Sequence, residues 1–164
     1  MEKLRILHIY TSQSDLLSPN NKKWFKLFYN DPEINHYIII QNCPEKVKDR
    51  FHSLYHDYYN IIYFDFINHI SNTAFINRIK YLKKIVSKIN GISPHIIHIH
   101  GLFSVNMIFP LFLLKKKPRI IFHIWGSDFN IHYRNKIINK FVLKWLVKKS
   151  SLIWVNWLAM ADDV

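Results

Sequence analysis

Histidines, glycines and one acid are gathered in two short segments, His98-Ile99-His100-Gly101 and His123-Ile124-Trp125-Gly126-Ser127-Asp128. Side chains two apart on a strand share a face, so His98 and His100 point the same way. Gly101 allows close backbone approach where that pair ends. In the second segment His123 is suited to orient a substrate or share a proton. Gly126 permits a tight turn, and Ser127 and Asp128 offer hydrogen bonds to ligand hydroxyls. Capping of the following segment is the competing use of Asp128. A third stretch, Tyr10-Thr11-Ser12-Gln13-Ser14, supplies hydroxyls and an amide, with an ordinary polar turn as the alternative. It is not a G-x-G-x-x-G fingerprint, and the chain holds three glycines in all, which argues against a dinucleotide site there. A metal on His98 and His100 needs a third ligand and an oriented surrounding shell. His123 is the candidate ligand, but no Asp or Glu follows the pair at short range. His98 is more often a core histidine, and no metal is expected.

These segments need strands that end where they begin. Leu4–Tyr10, His36–Gln41, Asn60–Phe66, His95–His100, Arg119–Trp125 and Ser151–Asn156 read as six short apolar strands, rich in β-branched and aromatic residues. Between them lie helical patterns. Asn21 is placed to cap a helix carrying Trp24, Phe25, Leu27 and Phe28. Val47–Tyr59 leaves helix and coil open. Ser71 or Asn72 caps a helix to about Asn90, whose Ile76, Ile79, Leu82, Val86 and Ile89 recur at helical spacing and which Gly91 is placed to end. Ser104 opens a helix to about Leu114, and another runs from about Arg134 to Lys149. Alternation of strands and helices specifies an α/β fold: a parallel sheet of about six strands with helices on both faces. The continuously apolar strands suit a sheet covered on both sides. Ligands in such sheets bind beyond the carboxyl ends of the strands, where the three polar segments lie.

The chain has 164 residues, enough for one domain with a sizeable core. Ile, Phe, Tyr and Trp dominate its apolar 49%, while Ala occurs only at positions 74, 159 and 161. With abundant Lys and Asn, this bias reads as an AT-rich coding sequence. The formal net charge of +12 suits a partner with phosphates, or reflects codon bias and a solvated surface. The single cysteine, Cys43, excludes a disulfide framework and a thiolate cluster, and a reducing cytoplasm fits. The apolar stretch at the N-terminus is too short for a signal peptide. No uncharged run reaches the roughly 18 residues that span a bilayer. The last helical pattern, Leu158–Val164, carries no stop signal, and continuation into a further domain is expected.

Taken together, His98-Ile-His-Gly101 after one strand and His123-Ile-Trp-Gly-Ser-Asp128 after the next resemble the acceptor domain of family-four-like retaining glycosyltransferases. Those enzymes show a His-x-His-Gly-like strand end, then a His-Gly-x-Asp-like one. The second segment is also similar to that of bacterial fucosamine-type transferases acting on lipid-linked saccharides. Ser151–Asn156, followed by Ala159–Val164, resembles the strand and helix before the family's interdomain region. There Asn156-Trp157 stands where serine is common, and Thr11–Ser14 where a glycine-rich loop is frequent. The resemblance implies a Rossmann-like half of a GT-B architecture, the whole chain forming the N-terminal, acceptor-side domain. The nucleotide-sugar donor would be held by a C-terminal donor domain, in cis or in trans. It implies His123 and Asp128 as catalytic residues, with Thr11, Ser12, His100, Gly101, Gly126 and Ser127 binding substrate. No cofactor and no metal are implied beyond the nucleotide-sugar. A glycan or lipid-linked acceptor in surface polysaccharide or lipopolysaccharide assembly, and inactivity of the isolated chain, follow as further expectations.

Lys136, Lys140, Lys144 and Lys148 form one stripe on the helix after the fifth strand. Beside them Ile137, Ile138, Phe141, Val142, Trp145 and Leu146 form a broad apolar face. Two uses stand open: a core-facing helix with solvated lysines, or a helix lying on an anionic membrane from the cytoplasmic side. Two other functional classes compete with the transferase. A basic nucleic-acid-binding module accounts for the charge, but the aromatics fall within core patterns and nucleic acid is not expected. A non-catalytic partner, or half of a split transferase, accounts for the abrupt end.

Overall fold

The computed structural model describes residues 2–10, 31–41, 43–57, 59–64, 74–101, 108–124 and 137–155. The described residues form six strands and four helices: β1 (Leu4–Tyr10), β2 (Ile34–Gln41), α1 (Glu45–Tyr55), β3 (Tyr59–Phe64), α2 (Ala74–Ile92), β4 (Ile96–His100), α3 (Phe109–Phe112), β5 (Arg119–Ile124), α4 (Ile137–Lys149) and β6 (Leu152–Val155). All strand pairs are parallel. The strand order is β3-β2-β1-β4-β5-β6, that of a doubly wound Rossmann-like sheet. The chain reverses its direction of travel across the sheet between β1 and β4. That junction is the switch point beyond which such sheets bind ligands.

Strand alternation divides the side chains between two cores. Leu7 and Ile9, Ile39, Ile97 and Ile99, and Ile120, Phe122 and Ile124 face one side. There they meet Ile85 and Ile89 of α2, Leu111 of α3, and Val142, Leu143 and Leu146 of α4. Tyr10, Ile38, Ile40 and Tyr59 face the other side, against Phe51 and Tyr55 of α1. Helices thus cover both faces, which is why the strands are apolar at nearly every position.

Element boundaries depart from the sequence pattern in instructive places. Val47–Tyr59, open between helix and coil, contains most of α1, which begins at Glu45 and buries Phe51 and Tyr55. Gly91 does not end α2. The helix continues through it to Ile92, which packs into the first core, and Ser93 takes the left-handed conformation at φ 48°. The Ser93 amide still donates to the Ile89 carbonyl at 2.9 Å. Arg5 fastens the start of β1 to this bend, its Nε donating to the Ser93 carbonyl at 2.9 Å and its amide to His95 Nδ1 at 3.0 Å. The caps expected at Asn21, Ser71, Asn72 and Ser104 lie outside the described residues, as does Leu158–Val164.

The apolar face expected for α4 is split. Val142, Leu143 and Leu146 are buried against the sheet, whereas Ile137, Ile138 and Phe141 are 86%, 56% and 61% exposed. Lys140, Lys144 and Lys148 lie exposed on the same helix; Lys136 falls outside the described residues. None of the described helices is long and apolar enough to cross a membrane.

Candidate functional site

The second face of the sheet carries a row of side chains at its carboxyl edge. Register places Tyr10 beside Ile40 and His100, His100 beside His123, and His123 beside Trp154. The row runs Tyr10, His100, His123, Trp154 across β1, β4, β5 and β6. Tyr10 and His100 stack with centroids 4.2 Å apart and planes 9° from parallel. His123 follows at 6.0 Å from His100, with Trp154 5.7 Å further along. Gly101 leaves the row with φ 77°, a conformation that favours glycine, and its amide donates to the His123 carbonyl at 2.9 Å. The bend after β4 is therefore fixed to β5.

One layer deeper, His8 of β1 pairs in register with His98 of β4. The His8 ring lies between two diagonal neighbours. Its Nδ1 is 3.2 Å from His100 Nε2, and its Nε2 is 3.1 Å from His36 Nδ1 on β2. Histidines from three adjacent strands thus form a continuous chain of ring-nitrogen contacts beneath the switch point. His98 lies close under His100, with centroids 3.9 Å apart and planes tilted by 33°. Burial strips these rings of water and disfavours the charged form. It holds His8 and His100 well below the usual imidazole range and His98 down to about 3, with neighbouring histidines adding to the effect. The cluster is therefore neutral at pH 7. It can donate, accept or ligate, but it carries no positive charge to an anionic substrate.

Of the residues expected at the site, the structure brings His100, Gly101 and His123 together at the switch point. Thr11, Ser12, Gly126, Ser127 and Asp128 lie outside the described residues. In the sequence they follow Tyr10 and Ile124, the last residues of the two strands that flank β4. Sequence reasoning missed His8 and His36, which sit inside apolar runs. A signal was present: His8-Ile9-Tyr10, His98-Ile99-His100 and His123-Ile124-Trp125 repeat one pattern at three strand ends.

A doubly wound sheet with polar and aromatic side chains at its switch point is an α/β domain of the kind that binds ligands beyond the carboxyl ends of its strands. Residues 36–156, well over half of the chain, match the glycosyl transferase 4-like family, and the chain belongs to it. It is a glycosyltransferase domain. No curated protein matches the chain.

Proposed function

We propose that this domain is the acceptor-side half of a GT-B transferase that moves a sugar from a nucleotide-sugar to a glycan or lipid-linked acceptor. The observation that carries this reading is the placement of His100, Gly101 and His123 at the switch point of a domain of this family. In this reading the acceptor lies over the Tyr10–His100–His123 row. Neutral His100, at the floor of that surface, hydrogen-bonds a hydroxyl, and the partly exposed ring of Trp154 offers an apolar face to a sugar ring, while Tyr10 stays buried in its stack on His100. His123 and Asp128 meet the transferred sugar, while Thr11, Ser12, Gly126 and Ser127 complete the binding surface. The donor nucleotide is held by a C-terminal domain in cis or in trans, and the isolated chain does not turn over. No cofactor takes part.

The acceptor class is suggested by the exposed part of α4. Ile137, Ile138 and Phe141 stand in solvent beside exposed Lys140 and Lys144, a combination suited to anionic lipid headgroups over an acyl boundary. A lipid-linked saccharide presented at the inner face of a bacterial plasma membrane fits such a surface, as in lipopolysaccharide or other surface polysaccharide assembly.

The test is sugar transfer by the protein expressed from its native locus, with its intact mass measured first. A mass about twice that of this chain identifies a donor domain in cis, and a mass equal to it directs the search to a separate donor subunit. Transfer from a nucleotide-sugar that falls sharply in His123→Ala and Asp128→Ala supports the reading. Absence of transfer from every nucleotide-sugar, with function intact in Asp128→Ala, overturns it.

A further inference from the structure

We propose that His8, His98 and His100 form a three-imidazole site for a zinc-class divalent cation, tying β1 to β4 beneath the switch point. One ring nitrogen from each lies within 4.8 Å of the other two. Two imidazole nitrogens bound tetrahedrally to one Zn²⁺ at about 2.0–2.1 Å stand about 3.3–3.4 Å apart. The 3.2 Å between His8 Nδ1 and His100 Nε2 is close to that edge length. His98, level with His8 in the register and tilted 33° under His100, brings its own ring nitrogen within that same 4.8 Å.

Two further features fit an ion. His98 and His100 are buried and His8 partly so, and all three are held neutral, the form in which imidazole ligates. His8 also has an outer partner. With Nδ1 on the metal, Nε2 keeps its proton and donates it to His36 Nδ1 at 3.1 Å. Ligating histidines are held in orientation by a hydrogen bond of this kind from their other nitrogen. The third ligand therefore comes from β1 rather than from His123 on β5, and only the pairing of β1 with β4 brings it there. A donor set of nitrogens without carboxylates selects zinc, cobalt, nickel or copper over magnesium and calcium.

The assignment does not rest on the transferase reading, and sugar transfer unaffected by chelators leaves it standing. The test uses the full chain carrying His52→Ala and His56→Ala. Those two exposed histidines lie one helical turn apart with rings 5.2 Å apart, and they would otherwise chelate ions at the surface. Cobalt(II) is titrated into metal-free protein and its ligand-field absorption recorded. The expected result is one equivalent per chain with the spectrum of a four-coordinate, nitrogen-ligated ion, displaced by Zn²⁺ and not by Mg²⁺. His8→Phe and His98→Phe abolish it, and His36→Phe weakens binding roughly 10- to 100-fold. Folding of each variant is checked by circular dichroism. X-ray absorption of the Zn²⁺-loaded protein counts imidazole ligands with the three histidines intact. No cobalt spectrum, a spectrum that survives both ligand substitutions, or fewer than three imidazoles at the zinc overturns the proposal.

Discussion

The imidazole of His100 lies flat on the phenol ring of Tyr10, 4.2 Å between centroids and 9° from parallel. The two residues are register partners on β1 and β4, so the stack spans the switch point itself. Offset aromatic pairs contribute about 0.5–1.5 kcal/mol beyond the area they bury. Tyr10→Leu should lower stability by at least that amount in urea denaturation. Tyr10→Phe, which keeps the ring, should lose less. Equal losses in the two variants would show that the stack contributes nothing.

Acid should unfold this domain early. His8, His98 and His100 are held neutral in the folded state, while in the unfolded chain they titrate near 6.5. Below that pH the unfolded chain binds more protons, so stability is complete above about 6.5 and falls as the pH drops toward His98's folded value of about 3. Each histidine kept neutral costs about 1.4 kcal/mol per pH unit over that window. All three act in the same direction, against a total stability of about 5–15 kcal/mol for a domain. Melting of metal-free protein followed from pH 7.5 to 4 should show a steep fall. A flat profile would mean that the cluster already binds protons when folded.

Two glycines should respond with opposite sign to the same substitution. Gly91 lies within α2, and an added Cβ would meet nothing within 4 Å. Gly91→Ala should therefore stabilise by about 0.5–1 kcal/mol through helix propensity and reduced chain entropy. Gly101 has φ 77°, where an L-residue is strained by about 1–2 kcal/mol. Gly101→Ala should destabilise and shift the amide that bonds the His123 carbonyl. Chemical denaturation of the pair decides it, and a stabilising Gly101→Ala would contradict the assigned backbone.

Phe122 is fully buried at the centre of the first core, between sheet and helices. Its truncation to alanine should cost about 3–5 kcal/mol, measured as a shifted denaturation midpoint at unchanged slope. A loss under 1 kcal/mol would be incompatible with this packing.

The exposed end of α4 makes the membrane reading measurable. The chain should co-sediment with vesicles containing anionic lipid and not with zwitterionic ones. Lys140→Gln with Lys144→Gln should weaken binding roughly 30-fold, from about 1 kcal/mol per lysine. Ile137→Ser with Phe141→Ser should reduce it further without unfolding the domain, because both side chains are solvent-exposed. Equal sedimentation with both vesicle types, or none, removes this surface from the proposed function.

Much of the fold was legible because a doubly covered parallel sheet writes itself as short apolar runs. Leu4–Tyr10 is a strand over the very residues the pattern marks, and the alternation of strands and helices sets the class. Ile92 shows where local reasoning fails: burial in the core carries the helix one residue past a glycine that local rules would make its end. His100, Gly101 and His123 were legible as a site because they punctuate strand ends. His8 repeats the same strand-end pattern, but its pairing was not legible, since it comes from lying level with His98, 90 positions away, and register is not written in either strand alone. On α4 the apolar spacing marked a helix but did not reveal which of its residues the core would take.

The pairing of β1 with β4 also sets a schedule for biosynthesis. Tyr10 and His100 are neighbours in the sheet but 90 residues apart along the chain. At roughly 5–20 residues per second, the first strand leaves the ribosome about 5–18 s before its central partner exists. During that interval β1 has only β2 to pair with, and the histidine side of its sheet edge is open. Completion of the switch point, and of everything that binds there, waits for the arrival of a single five-residue strand.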